Sequence, residues 1–471
     1  MSEASVIGKI VAKGTLKLES PLIIASGMSE DKNEIDTHVL KNKDGRPYIP
    51  GTSLAGVLRD FCRRENPDLY EMLFGSENSD AKNAMQSSLV FSDIILQNAE
   101  IASRDGVSID SLTGIAKKHH KFDFEAVERG ATGNFKMVVT LRKKHREKQE
   151  EISALLDKLL RKIAGGFLLG GWTAKGMGKA RVENLVENVY DFRLKEDVAA
   201  WLSADDRRNA AKTVKIEGGK APYISEDFVV EASFHLLHSL IVRDYSFEEQ
   251  ARASGDEGRN IAATSMRSRE DYLIPGSSVK GVLRHRLEYI FAMMGKDTGL
   301  IMELMGRPSE VSSENHRIEQ KGKKSRFYVN EVYIPKNTVK TAAQTRIRVD
   351  RFTGGTIGTA LFSTQPMWGT DETRIRISFS IRNAKKHEAG MALCLLKDLW
   401  TGRVAIGGEK SIGRGVLEGL AASIHYKGIT YEWKKDGRLK PEKARELQDF
   451  VNAFAAYDGT EGKSEEGGET A

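Results

Sequence analysis

The chain has 471 residues, 40% of them hydrophobic, which is enough for two or three domains that each bury a core. Lysine and arginine (72) exceed aspartate and glutamate (66), and the net charge of +6 favours a polyanionic partner. Only Cys62 and Cys394 are present, which excludes a disulfide framework or a cysteine zinc site, and no long apolar run or signal-like N-terminus occurs. We therefore expect a cytoplasmic protein without membrane contact.

The first elements in chain order are a strand, a loop and a helix. The alternating stretch VIGKIVAKGTLKLES from Val6 predicts a half-buried strand, and a long polar loop follows it. The segment YIPGTSLAGVLR from Tyr48 then predicts a helix with Thr52 or Ser53 as its N-cap. Further strands, a second helix (EEISALLDKLLRKIAGG) and the glycine loop LGGWTAKGMGKA from Leu169 complete the unit.

The same order of motifs recurs later in the chain. LIPGSSVKGVLR from Leu273 repeats the Pro-Gly-hydroxyl helix, LMG repeats LFG, and FYVNEVYI has the pattern of LVFSDIIL. VDRFTG from Val349 repeats IDSLTG from Ile109, and IGGEKSIGRGVL from Ile406 repeats the glycine loop. The same order of these matches in both halves indicates a tandem duplication.

Each copy predicts a β-α-β-β-α-β unit, so the fold class is α+β with two tandem ferredoxin-like or RRM-like domains. The second copy begins with the strand DFVVEASFHLLHSLIV and includes the helix GMALCLLKDLWTG. We assign the domains as residues 1–187, linker 188–226 with a short helix near Val198–Leu202, residues 227–425, a C-terminal extension 426–457, and a disordered acidic tail 458–471.

Two motifs suit phosphate binding. The Pro-Gly-hydroxyl turn combines backbone N–H groups with a helix N-terminus, and the glycine loops place cations among glycines that allow close backbone approach. Both motifs could have a purely structural role, as a capped helix and a hairpin made of turns, but their recurrence favours phosphate binding. The predicted RNA-binding residues are Gly51, Thr52, Ser53, Arg59, Lys175, Lys179, Gly276, Ser277, Ser278, Lys280, Arg284, Lys410 and Arg414.

The order of strand, aspartate-bearing loop, IPG[ST]SxxGxxR helix and GGx4GxG loop resembles the RAMP superfamily, and most closely the backbone subunit of type III CRISPR complexes. The resemblance implies a core that grips the sugar-phosphate backbone of a guide RNA (crRNA), and a thumb-like β-hairpin insertion in each domain. SLTG and RFTG lie where the thumbs would arise, and ALFSTQPMW from Ala360 would supply an apolar wedge. The fused two-domain form suggests a type III-D-like subtype.

The resemblance also implies a catalytic aspartate in the loop before the first turn. Asp36 matches it, as a ligand of a divalent ion, Mg²⁺ or Mn²⁺, or as acceptor of the 2′-hydroxyl proton. Asp31, Glu34 and His38 are auxiliary candidates. The implied activity is metal-dependent cleavage of single-stranded target RNA within a complex that contains other RAMP subunits and a large polymerase-like or nuclease-like subunit.

The second copy departs from this pattern. The equivalent spacing before Leu273 falls on Ile261, and none of Asp244, Asp256 and Asp271 fits the position. We therefore expect a catalytic first domain and a silent second domain.

Three other functions stay open. The chain could be a purely architectural guide-binding subunit, or a stand-alone endoribonuclease that processes guide precursors with His119 and His120 as its acid-base pair. A ferredoxin-like enzyme unrelated to nucleic acid is the third.

Overall fold

The architecture is taken from a computed structural model that describes residues 5–27, 35–76, 86–111, 113–203, 212–213, 226–244, 261–307, 310–311, 318–320, 322–437 and 439–458. Contacts divide the chain into two compact units. The first comprises Met1–Gly106, Phe122–Thr173 and Met177–Pro222, and the second comprises Val107–Lys121, Ala174–Gly176 and Tyr223–Ala471.

The elements of the first part of the chain follow the predicted order. The strands are β1 (Val6–Leu18), β2 (Tyr48–Ile49), β3 (Leu89–Phe91), β4 (Ile94–Ile95), β5 (Ile101–Ile109), β6 (Ala116–Val127), β7 (Thr132–Arg142), β8 (Phe167–Leu168), β9 (Lys179–Asp191) and β10 (Lys212–Thr213). The helices are α1 (Gly51–Glu65), α2 (Tyr70–Phe74), α3 (Gln149–Gly165) and α4 (Lys195–Leu202), with 3₁₀ turns at Lys143–His145 and Thr173–Lys175.

The main sheet of the first unit has the order β10-β9-β1-β7-β3, and β8 pairs with β9. Strand β1 lies in the middle, antiparallel to both β7 and β9, and its alternating residues Ala12, Leu16 and Leu18 are buried. These side chains share one core with the buried residues of α1 and α3. This is the ferredoxin-like arrangement that the alternating pattern predicts.

The second part of the chain repeats this order. Its strands are β11 (Phe228–Leu236), β12 (Ser239–Leu240), β13 (Arg243–Asp244), β14 (Ile261–Ser265), β15 (Arg267–Ser268), β16 (Asp271–Ile274), β17 (Glu310–Val311), β18 (Ile318–Gln320), β19 (Phe327–Val329), β20 (Val332–Ile334), β21 (Val339–Thr341), β22 (Gln344–Val349), β23 (Thr356–Gln365), β24 (Met367–Gly369), β25 (Ile375–Ile381), β26 (Leu417–Tyr426) and β27 (Ile429–Lys434). Its helices are α5 (Gly276–Met293), α6 (Gly299–Met305), α7 (Lys386–Trp400) and α8 (Pro441–Ala456), with 3₁₀ turns at Lys336–Thr338 and Lys410–Ile412.

The sheet of the second unit has the order β19-β25-β11-β26-β27, with β11 in the middle and antiparallel to both neighbours. Helices α5 and α7 share its core, and α8 packs on α7, where Phe450 O would lie 1.9 Å from a Cβ added at Gly390. Both copies therefore have the predicted α+β ferredoxin-like plan.

A hairpin insertion is present in each copy, as predicted, formed by β5 with β6 and by β22 with β23. The two tips have the same turn: the carboxylate of Asp110 accepts the N–H of Thr113 at 2.9 Å, and that of Asp350 accepts the N–H of Thr353 at 2.8 Å. SLTG and RFTG are thus the tips of the hairpins.

One local prediction is wrong, and another is met only in part. Helices α1 and α5 begin at Gly51 and Gly276, with an extended proline before each and no side-chain cap, so the hydroxyl residues lie inside the first turn. The expected wedge ALFSTQPMW runs from β23 into β24 and ends in the core at Met367, whereas the exposed aromatic residue at the tip is Phe352, 95% exposed.

The short helix expected near Val198–Leu202 is α4. Among the described residues, no helix is long and apolar enough to cross a membrane.

Candidate functional site

Three motifs that lie far apart in the sequence meet at one open cavity of about 450 Å³ in the first unit. The segment after β1, the loop of Asp36, the first turn of α1 and the glycine loop all contribute to its wall. The lining residues are Ile23, Ile24, Ala25, Thr37, Ser53, Gly170, Gly171 and Trp172.

The glycine loop is shaped by contacts within the protein. Gly170 has φ +76° and a Cβ there would lie 2.3 Å from Ile23 O, while the N–H of Gly171 donates to the same oxygen at 2.8 Å. A Cβ at Gly178, which has φ +77°, would lie 1.8 Å from Leu169 O. Gly170 and Gly178 are therefore explained by the fold itself, whereas a Cβ at Gly171 would be in ordinary van der Waals contact, 3.7 Å from Ile23 O.

The loop of Asp36 is fastened along the end of β6. The N–H of Thr37 donates to Asp123 O at 3.3 Å, and the N–H of Glu125 donates to Thr37 O at 2.8 Å. The Asp36 side chain is exposed, and its Oδ2 accepts the N–H of Asp123 at 2.9 Å. These bonds fix the position of the carboxylate; Asp36 is not itself among the lining residues, but its neighbour Thr37 is.

Glu125 organises the residues that follow Asp36. Its Oε2 accepts the N–H of Val39 at 3.0 Å and lies 3.3 Å from His38 Nδ1 and 3.4 Å from Lys41 Nζ. Burial alone would raise the pKa of the Glu125 carboxyl, but the hydrogen bond from Val39 and the charge of Lys41 hold this pKa below its usual range. Sequence reasoning missed Glu125, because it lies far along the chain from the loop that it supports.

The first turn of α1 offers fewer phosphate donors than predicted. The N–H of Gly51 donates to Asp93 Oδ1 at 2.7 Å, and a Cβ at this buried glycine would lie 2.2 Å from Phe91 O. Thr52 is exposed and Ser53 lines the cavity, so these two residues remain accessible. In the second copy Gly276 is buried, Ser277 is exposed and Ser278 is partly exposed.

The repeated arginines have a role within the fold. Arg59 Nη2 donates to Gly75 O at 3.4 Å, and Arg284 Nη1 donates to Gly306 O at 3.5 Å. Both glycines end a helix with positive φ. The GxxR and LFG/LMG echoes are thus one structural device, which favours a supporting role for both arginines over a direct RNA contact.

The loop cations differ in accessibility. Lys179 is exposed with Nζ 3.0 Å from Glu19, Lys175 is partly exposed, and Lys410 is exposed. Arg414 is 2% exposed, with Nε 3.2 Å from Glu409 Oε2. Arg414 was predicted to contact RNA, but its guanidinium is buried.

Lys280 is also buried, at 8% exposed. Its Nζ donates to Ser325 Oγ at 2.7 Å and to Phe327 O at 3.0 Å. Burial, reinforced by neighbouring positive charges, lowers the pKa of Lys280 to about 7. Lys280 was predicted to add a positive charge for phosphate binding, but a buried lysine in this environment does not carry a full charge to the surface.

Backbone hydrogen bonds identify the position in the second unit that is equivalent to Asp36. Leu40 N–H donates to Ile24 O and Met266 N–H donates to Val242 O, each at 2.7 Å. Asp36 lies four residues before Leu40, and Ala262 lies four residues before Met266. Ala262 is therefore the equivalent of Asp36, one position beyond the predicted Ile261.

The remaining members of the site also lack ionisable counterparts in the second unit. Thr37 forms a parallel bridge with Phe124, and Ala263 forms the same bridge with Thr364. The next residues along each strand are then equivalent: Thr264 occupies the position of His38, and Gln365 that of Glu125. Asp271 lies in β16, whereas Asp244 lies in β13 and pairs across the sheet with Thr264. Asp31, Glu34 and Asp256 lie outside the described residues.

The fold and the cavity define a class: tandem ferredoxin-like domains, each with a hairpin insertion and a glycine loop beside the first helix. The chain belongs to the RAMP superfamily, whose family profile matches residues 15–181 and 239–418, more than half of the sequence. This membership makes it a CRISPR-associated RNA-binding subunit, with RNA and CRISPR-complex proteins as its partners in general. No curated protein matches the sequence.

The expected divalent ion can be tested against the side chains. Among the residues that the structure describes, no group of three His, Cys, Asp or Glu side chains is arranged to hold a metal ion. Mg²⁺ is commonly held by one or two carboxylates together with phosphate oxygens of the substrate. The exposed carboxylate of Asp36 therefore fits a Mg²⁺ or Mn²⁺ ion that it would share with an RNA phosphate.

Proposed function

We propose that the chain is a backbone subunit of a type III CRISPR ribonucleoprotein, of type III-D-like form, that holds the guide RNA and cleaves complementary single-stranded target RNA through its first unit. The observation that supports this is the convergence of the Asp36 loop, the α1 turn and the glycine loop on one open cavity. A carboxylate with only a structural role does not need to lie beside an open cavity. A cleavage site does, because the RNA backbone and the carboxylate must come together there.

The reaction needs little from the protein because RNA carries its own nucleophile. The 2′-hydroxyl attacks the adjacent phosphorus in line, the bond to the 5′-oxygen breaks, and the products carry a 2′,3′-cyclic phosphate and a 5′-hydroxyl. A bound Mg²⁺ or Mn²⁺ ion would neutralise charge on the phosphate. Asp36 either accepts the 2′-hydroxyl proton or holds that ion, and the hydrogen bond from Asp123 keeps its carboxylate in place.

His38 is the auxiliary candidate for delivering a proton to the leaving 5′-oxygen. Its imidazole is 27% exposed, and Nδ1 faces the Glu125 carboxylate at 3.3 Å. Such a contact orients a histidine and fixes which nitrogen carries the proton. Glu125 is then a positioning residue that holds His38 and the N–H of Val39 together.

The second unit is proposed to bind RNA without cutting it. At the positions equivalent to Asp36, His38 and Glu125 it has Ala262, Thr264 and Gln365. None of these three side chains can take a proton or share an ion with phosphate as a carboxylate does, and the nearby Asp244 is on the neighbouring strand β13.

Asp36→Asn is the decisive test, because asparagine retains an oxygen that can accept the N–H of Asp123 while the negative charge is lost. We expect the rate of target cleavage by the assembled guide complex to fall about 100-fold or more, with RNA affinity unchanged. Asp44→Asn is the matched control, since Asp44 is an exposed carboxylate of the same loop, and it should cleave at the normal rate.

Other outcomes separate the alternatives. Target binding without any cleavage by the unmodified complex would identify an architectural subunit. Cleavage of guide precursor by the isolated chain, lost in a His119→Ala/His120→Ala variant, would identify a processing enzyme. Full activity of Asp36→Asn would refute the assignment of the catalytic residue.

A further inference from the structure

A cluster of three arginines around one carboxylate stands in the second unit. Glu409 Oε1 lies 3.1 Å from Arg243 Nη2, and Glu409 Oε2 lies 3.2 Å from Arg414 Nε and contacts Arg346 Nη2. Arg346 also lies over the ring of Phe362, 5.5 Å from its centroid. We call Arg243, Arg346, Arg414 and Glu409 the arginine cluster.

The arginine cluster occupies the place that corresponds to the cavity wall of the first unit. Trp172 and Glu409 follow matching Gly-Gly pairs and share the left-handed backbone, with φ 54° and 56°. In the first unit Trp172 packs edge-on against Phe124, 4.3 Å between ring centroids. The matched turns and strands show which residues of the first copy the cluster replaces. Arg243 replaces Ala25, Arg346 replaces Gly106, Glu409 replaces Trp172 and Arg414 replaces Met177.

The cluster concentrates positive charge and hydrogen-bond donors. Three guanidinium groups contact the Glu409 carboxylate. Burial would raise the pKa of Glu409, but hydrogen bonds from Arg346 and Arg243 hold this pKa below its usual range. Among the described residues, the buried Nη1 of Arg414 and Nε of Arg346 have no hydrogen-bond partner. Buried donors without an acceptor are costly, so the Nε of Arg346 favours an added anion beside this arginine.

The exposures of the arginines indicate which of them an anion reaches. The side chain of Arg414 is 3% exposed and needs Glu409 as its counter-charge, whereas those of Arg346 and Arg243 are 27% and 42% exposed. Two neighbouring guanidinium groups suit the oxygens of a phosphodiester, because each presents a planar pair of donors.

We infer that the arginine cluster binds a phosphodiester of the target RNA strand. The strand is chosen because the cluster corresponds to the proposed cleavage cavity of the first unit, so the inference rests on the proposed function. Where the first unit presents a carboxylate that promotes cleavage, the second unit presents arginines that hold the strand intact. Arg243 and Arg346 exchange Glu409 for the phosphate, and Glu409 remains with Arg414.

Arg243→Gln/Arg346→Gln tests this site in the full chain assembled with its guide RNA. The probe is a fluorescein-labelled complementary RNA made uncleavable by 2′-deoxy substitution, titrated at several KCl concentrations. We expect the Kd for this target to rise about 10-fold or more, and the slope of log Kd against log[KCl] to fall by roughly 1 to 2 for two lost phosphate contacts. Guide retention should not change.

The matched control is Arg376→Gln/Arg445→Gln, which removes the same charge from exposed positions of the same unit. It should leave the slope within error of the unmodified complex. A slope that is unchanged in the cluster variant, or one that changes equally in the control, overturns the inference. So does a loss confined to guide loading, because the cluster would then contact the other strand.

Arg243→Lys/Arg346→Lys keeps the test valid if the glutamine variant does not fold. Lysine keeps the charge but not the paired donors, so the Kd should rise while the salt slope stays the same. An unchanged Kd would contradict the inference. Failure of the proposed function is seen separately, because it appears as undiminished cleavage by Asp36→Asn, which this binding assay with an uncleavable target does not measure.

Discussion

At the scale of single residues, several side chains with the right chemistry for RNA have partners inside the protein. Lys280 donates to Ser325 and Phe327, and the buried Arg414 contacts Glu409. The sequence identifies the charge of a residue, but its burial depends on segments from other parts of the chain. Asp36 is different, because its carboxylate is exposed, although the N–H that holds it belongs to Asp123 in β6.

The glycines illustrate the same limit and allow a direct test. A Cβ at Gly178 would lie 1.8 Å from Leu169 O, and its φ of +77° is strained for any other residue. At Gly56, within α1, no atom lies within 4 Å of an added Cβ. We expect Gly178→Ala to destabilise the first unit by about 2–4 kcal/mol, lowering its Tm by roughly 5–10 °C. Gly56→Ala should stabilise it by about 0.5–1 kcal/mol.

Thermal unfolding followed by circular dichroism of the two purified variants measures this difference. A Gly178→Ala protein as stable as the unmodified chain would mean that the loop can move away from Leu169. The fold would then not require a glycine at position 178, and contact with RNA would be the remaining reason for it.

At the scale of elements, sequence patterns predicted most of the fold. Alternation identified β1 and β11, and helical spacing identified α1, α3, α5 and α7, because buried faces impose these periods on the sequence. The helix starts were misplaced since an extended proline before Gly51 and Gly276 begins each helix without a side-chain cap. Of the expected wedge, Phe362 is exposed on the hairpin strand and Met367 is buried, because apolar composition alone does not show where a segment enters the core.

The C-terminal extension provides a prediction about elements. Helix α8 buries Phe454 at 2% exposure, and its ring lies 5.5 Å from that of Phe291. Residues 459–471 are rich in glutamate and glycine and have almost no apolar side chains. We expect a chain that ends at residue 458 to unfold at the same temperature as the full chain, because the removed segment has nothing to bury.

A chain that ends at residue 440 is the comparison. Loss of Leu447 and Phe454 exposes the face of α7 that α8 covers, and burial of one such phenylalanine alone is worth about 3–5 kcal/mol. The second unit should therefore unfold at a clearly lower temperature. Equal stability of the two truncated chains would show that α8 contributes no packing energy.

At the scale of the whole molecule, the duplication preserved the backbone and changed the chemistry. The glycine loops make the same hydrogen bonds, with Gly171 N–H donating to Ile23 O at 2.8 Å and Gly408 N–H donating to Ile241 O at 2.7 Å. The sequence repeat predicted this shared scaffold. It could not pair His38 with Glu125, because that contact joins two segments separated by α1, α2 and several strands.

The asymmetry between the two units leads to a prediction about where target RNA is cut. Each copy of the chain should produce one cleavage, opposite Asp36, and leave the RNA opposite the second unit intact, because Ala262 and Gln365 supply no carboxylate there. Mapping the ends of a labelled target on a sequencing gel, with analysis for a terminal 2′,3′-cyclic phosphate, measures both position and chemistry. Asp36→Asn should remove that cut while guide occupancy and complex size stay the same, and chelation of divalent ions should have the same effect.

Asp244→Asn is the control in the second unit, since Asp244 is the carboxylate in β13, beside the strand that carries Ala262. It should leave the cleavage pattern unchanged. If the unmodified complex makes two cuts per chain and one survives Asp36→Asn, the second unit has a site of its own. Loss of that surviving cut in Asp244→Asn would then assign it to Asp244, and its persistence would direct the search to Asp256. Either result would show that both copies stayed active after the duplication. The arginine cluster would then bind target RNA next to a cleavage site, and not an uncut strand.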